Sequence, residues 1–109
     1  MRRRATYISL ALILTACAHV PTKEQQIGAF REAFFAYDNA FKRWFVDNMA
    51  KAEDIDRWKY LMQADREWEG FAKAIELALQ KNTPELVQSL MEEAKYWLAK
   101  TGIIIGGKL

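Results

Sequence analysis

Ile27, Phe30, Phe34, Tyr37, Phe41 and Trp44 recur at steps of three and four along the chain. At 100° per residue these six, with Phe45, fall within an arc of about 100° on a helical wheel. A helix carrying so aromatic a stripe over about five turns cannot stay alone in water. It needs further elements with apolar faces of their own. No alternation of period two persists through the body of the chain, so those elements are expected to be helices.

Two more helices are legible. The first is predicted from about Lys23 to Met49. Thr22 stands at its N-cap and Gln25 at the capping-box position. Asp38–Lys42 and Asp47–Lys51 are spaced as favourable i,i+4 pairs. The second is predicted from about Asp54 to Lys81, with an apolar stripe of Ile55, Trp58, Leu61, Met62, Trp68, Phe71, Ala72, Ile75, Ala78 and Leu79. Gly70 sits mid-helix, where close approach of a neighbouring aromatic ring would explain it. No Gly or Pro marks residues 46–56, and only Asp54 offers a cap, so one continuous helix is the alternative. The third starts at Asn82-Thr83-Pro84-Glu85, with Thr83 at the N-cap and Pro84 at the first helical position. Leu86, Val87, Leu90, Met91, Ala94, Trp97 and Leu98 form its apolar face, and Lys100 and Gly102 its stop.

The fold expected is all-α, a small antiparallel three-helix bundle over residues 25–102. The helices would be roughly 40, 42 and 26 Å long. The third is too short to cover the whole seam between the first two. Phe30, Phe34, Tyr37, Phe41 and Trp44 are therefore candidates for an apolar groove. The alternative covers are the tail at 103–109, which contains Ile103, Ile104 and Ile105, or a second copy. Phe35, Val46 and Tyr96 fall off the stripes and mark a candidate interaction surface.

The first sixteen residues differ in kind. Arg2, Arg3 and Arg4 precede an uncharged apolar run from Ala5 to Ala16, the pattern of a secretory signal peptide. That run reaches about 18 Å, short of the ~30 Å hydrocarbon core. It ends in Leu14-Thr15-Ala16-Cys17, which resembles the lipobox of bacterial lipoprotein precursors. The resemblance covers residues 1–17 only. It implies cleavage before Cys17, acylation of the Cys17 sulfur and a stable membrane anchor. Residues 17–24 then form the lipidated Cys and a short tether. Ala18, rather than Asp, follows the Cys. In a Gram-negative host the class would then place the protein at the outer membrane, facing the periplasm.

The chain has 16 basic and 14 acidic residues, a net charge of +2. Without the three leading arginines the balance is thirteen to fourteen, so no basic face for nucleic acid is expected. With one Cys and one His, no intramolecular disulfide and no Cys/His metal site can form. His19 reads as a spacer beside the anchor. Ser89 lacks a base to activate it. Glu53, Asp54 and Asp56 read as a solvated turn, without the spacing of a calcium loop. No catalytic residue, metal or cofactor is predicted.

The functional expectation is a membrane-anchored, non-catalytic envelope lipoprotein whose helical domain is an interaction or scaffolding module. Its partner would be an envelope protein or a second copy. One alternative is a carrier or sensor of a small, lipid-like apolar ligand in the aromatic groove. Another is a phage- or plasmid-type envelope factor acting in lysis, exclusion or inhibition.

Overall fold

A computed structural model describes residues 20–105. Cys17, His19, the signal-like segment and residues 106–109 of the tail lie outside them. Three helices account for 85% of the described residues, and there is no strand among these. They are α1, Lys23–Lys51; α2, Ile55–Gln80; and α3, Pro84–Thr101. The fold is the expected all-α bundle.

Local chemistry sets each boundary. Thr22 Oγ1 accepts the Gln25 N–H at 3.1 Å, and Gln25 Oε1 accepts the Thr22 N–H at 2.9 Å. The capping box is thus complete and starts α1. Between α1 and α2 the helix breaks. Ala52 is extended, with ψ 123°, and so is Asp54, whose Oδ1 accepts the Arg57 N–H at 2.8 Å. That cap satisfies an orphan donor at a break that neither Gly nor Pro marks. Arg57 also donates to Asn48 Oδ1 at 2.6 Å, and its guanidinium lies 5.0 Å from the Tyr60 ring centre. The hairpin is therefore clasped just inside its turn.

The α2–α3 connection turns on Asn82, the one non-glycine at positive φ (54°) among the described residues. Thr83 N–H donates to Ala78 O and Asn82 N–H to Leu79 O, the two bonds of a Schellman motif. Thr83 occupies the N-cap of α3 as expected, but its hydroxyl makes no capping bond. It donates instead to Lys81 O at 3.3 Å. Pro84, which has no N–H to satisfy, removes one orphan donor of that turn. Gly102, at φ 87°, ends α3 in a second Schellman motif: Ile103 N–H reaches Leu98 O at 2.9 Å. This turns the tail inward. Ile103 is buried, Ile105 packs on the core, and Ile104 faces solvent.

α1 and α3 run parallel, with α2 antiparallel to both. Gln26 and Phe30 lie beside Pro84 and Gln88 at one end, and Phe41 meets Trp97 further along. The core is aromatic. Phe41 and Trp68 are 2% and 3% exposed, with ring centres 5.6 Å apart. Phe34, Trp44, Phe45, Phe71 and Trp97 pack their rings around this pair. Leu61, Ile75, Ala78, Leu79, Val87, Met91, Ala94 and Leu98 complete the interior.

Some expectations fail here. Ile55, Trp58 and Leu86 are exposed rather than buried in their stripes. The small Ala64, absent from the expected stripe, is buried. A Cβ at Gly70 would meet nothing within 4 Å, so no ring approaches it. Asp38–Lys42 closes at 2.8 Å. Asp47–Lys51 is not among the ion pairs formed by the described residues.

Candidate interaction surface

The five residues expected to line a groove divide between two environments. Phe41 is enclosed in the core, Phe34 stacks on Trp68, and Trp44 packs edge-on to Tyr60. Phe30 and Tyr37 line an open cleft between α1 and the stretch of α3 from Pro84 to Lys95, about 630 Å³ in volume. Met91 supplies apolar wall from α3, and Gln26, Glu85, Gln88, Glu92 and Lys95 supply a polar rim. Partial burial pushes the Tyr37 phenol pKa upward, because the ionised form would lose water. The cleft offers a mixed wall, suited to an amphipathic occupant.

Two indole N–H groups are tied to carboxylates on neighbouring helices. Trp68 Nε1 donates to Asp38 Oδ1 at 2.8 Å, linking α2 to α1. The second oxygen of Asp38 meets Lys42, and that hydrogen bond raises the ammonium pKa. Trp97 Nε1 donates to Glu67 Oε1 at 2.8 Å, linking α3 to α2. Gln63 donates to the other Glu67 oxygen, and the Gln63 and Trp97 bonds together hold this carboxyl below the usual glutamate range. These pairs orient the two large rings where aromatic spacing alone would not.

Phe35, Val46 and Tyr96 are all exposed, between 64% and 69%. Phe35 and Val46 share one side of α1. Tyr96 lies on α3, in a shallow groove with Phe71, Ser89 and Glu93, and Lys100 sits 5.7 Å from its ring centre. Phe35 and Val46 do not line that groove. Ser89 sits among carboxylates there.

A further apolar site was not foreseen from the sequence. At the α1–α2 hairpin, Ala52, Ile55 and Trp58 line an open depression of about 390 Å³ with Glu53 and Asp54. Ile55 is 62% and Trp58 44% exposed. The signal was present. On the wheel of α2, Ile55 stands about 120–160° from Leu61, Trp68 and Ile75. Acids also precede and follow it.

Among the described residues no cluster of three or more His, Cys, Asp or Glu side chains is placed to hold a metal ion. No described helix is long and apolar enough to cross a membrane. No protein-family model, curated protein or solved structure matches the chain.

Proposed function

We propose that the chain is a lipid-anchored envelope protein, held by acyl groups on Cys17, whose helical body is a non-catalytic docking module. One observation carries this reading. The aromatic core is filled by its own side chains, yet Phe35, Val46 and Tyr96 remain largely exposed and Trp58 nearly half exposed. Isolated exposed apolar residues are ordinary, but several large ones on an 86-residue body are a surplus that contact with a partner would cover. The lipobox supplies the address. Five residues separate Cys17 from the first residue of α1, so the tether spans at most about 20 Å. Anchoring confines the body to a thin layer and raises its effective concentration toward any partner there.

The α1–α3 cleft favours a second reading, a carrier of an amphipathic ligand with a lipid-like chain against Phe30, Tyr37 and Met91. One experiment separates the two. The precursor, tagged after Leu109, is captured from detergent-solubilised envelopes, and its intact mass and companions are read together. Acyl mass on Cys17 with a stoichiometric protein supports the docking module. Acylated protein that carries a bound small lipid and no protein supports the carrier. An unacylated, cytoplasmic protein refutes both.

A further inference from the structure

We propose that the end of the bundle formed by the start of α1 and the α2–α3 turn rests on the bilayer that holds Cys17, with Leu86 at headgroup depth and the lipid surface itself as partner. This rests on the lipid-anchored reading and adds how the body stands. Val20, Leu77 and Leu86 are all exposed. The core accounts for neither leucine. Leu77 stands about 160–180° round α2 from Leu61, Trp68, Ile75 and Leu79. Leu86 stands about 80–140° round α3 from Val87, Met91, Ala94 and Leu98. Yet all three gather at one end. Leu77 is in the last turn of α2 and Leu86 in the first turn of α3. Val20 shortly precedes the Thr22 cap of α1. Lys23 and Gln26 share a depression with residues 81–85, which puts the start of α1 beside the α2–α3 turn. Helical side chains lean toward the N-terminus of their helix, so Leu86 leans toward this end and Leu77 away from it.

The anchor selects the occupant. Five residues lie between Cys17 and α1, so this end stays within about 20 Å of the bilayer. A small domain is about 30 Å across and does not fit into that gap. A second copy meeting this end head-on would point its own body through the bilayer. Charge does not select. Residues 20–24 and 77–86 carry two bases, Lys23 and Lys81, and two acids, Glu24 and Glu85. The contact is therefore apolar, and the lysine stems lie along it with their ammonium groups in water. So small an apolar area binds a membrane only weakly by itself, but the acyl anchor has already brought it there.

The test uses the mature acylated chain, purified from the envelopes of its own host. It is placed, at high lipid excess, in vesicles of phosphatidylcholine with or without phosphatidylglycerol. A nitroxide label is attached through Leu86→Cys, Leu77→Cys or, as the water reference, Ile55→Cys. Cys17 is the only cysteine of the chain and, once acylated, takes no label. Spin relaxation then compares collisions with oxygen, which concentrates in lipid, and with a water-soluble nickel chelate. The oxygen-to-nickel ratio at 86 should stand several-fold above that at 55, and equally so in both vesicles. At 77 it should be raised less, and Leu86→Glu should return it to the value at 55. Thermal melts confirm that each variant folds. A label at 86 as open to water as that at 55 overturns the seating. So does lipid contact confined to the phosphatidylglycerol vesicles, which would be the work of the lysines. Spectral broadening by a neighbouring label at 86 gives this end to a second copy and overturns it too. In each of these cases the anchored docking module stands. Two labels per chain mean a free Cys17, which refutes the anchored reading and the seating with it.

Discussion

The two indole–carboxylate bonds have the same length, 2.8 Å, and should differ in worth because their burial differs. Trp68 is 3% exposed and the Asp38 side chain 21%, so Asp38→Ala leaves a donor at the edge of the core where water reaches it less readily than an exposed group. Such a group costs about 1–3 kcal/mol. The same substitution releases Lys42, but that pair is solvent-exposed on the lysine side and contributes only about 0.3–0.5 kcal/mol. We therefore expect Asp38→Ala to lower stability by about 2 kcal/mol, and Lys42→Ala by less than about 0.5 kcal/mol. The Trp97–Glu67 bond is open to water, which replaces a lost acceptor, so Glu67→Ala should cost under about 1 kcal/mol. Urea titrations at neutral pH, followed by far-UV circular dichroism, measure all three. In thermal melts the first variant should lose about 10 °C, at about 4–8 °C per kcal/mol for a domain of this size. If Glu67→Ala costs as much as Asp38→Ala, or Lys42→Ala accounts for most of the Asp38 effect, the burial argument is wrong.

Gly70→Ala should stabilise the chain by about 0.5–1 kcal/mol, since Gly70 is helical and its added methyl meets nothing within 4 Å; a lower urea midpoint would show an unseen contact. Glu67 gives a pH dependence. Its folded pKa is depressed by the Gln63 and Trp97 bonds, so its charged form contributes stability above the ordinary glutamate value and loses it as pH falls through the depressed one. The stability gap between the native chain and Glu67→Gln should therefore close on acidification, and a gap that widens toward acid would refute the assignment.

The fold was legible because the information that sets it is local and redundant. Phe41 and Trp44 belong to a stripe of seven residues, and a shift of one residue would expose most of it. The capping box at Thr22 and the Gly102 stop are likewise written in three or four adjacent residues. The break at 52–54 was only half legible. Its causes are the Asp54 cap and the Arg57–Asn48 bond, and the second joins residues nine apart whose pairing exists only once the hairpin has formed. Asn82 shows the same limit. The sequence marks a turn there, but the left-handed φ and the bonds back to Ala78 and Leu79 are set by where α3 must lie.

The candidate surfaces were legible to a lesser degree, because periodicity says which way a residue points and not what lies opposite. Phe30 and Phe41 differ by only about 20° on the wheel of α1. One lines a cleft and the other is enclosed, because at Phe41 the Trp68 and Trp97 rings close over the helix, whereas at Phe30 the facing α3 residues include Gln88 and Glu85. The same logic explains the exposed α1–α2 hairpin. Leu61 is fully buried and Trp58, one turn earlier, is 44% exposed. α3 ends alongside Tyr60 and Ala64, where Lys100 and Thr101 approach α2, so α3 itself does not cover the first turn of α2. A third helix of 18 residues laid from the α2–α3 turn cannot reach the end of a hairpin whose arms have 29 and 26. Helix length thus leaves Trp58 and Ile55 partly uncovered at the α1–α2 hairpin end of the bundle, and selection for a closed monomer alone would favour a polar residue at both positions.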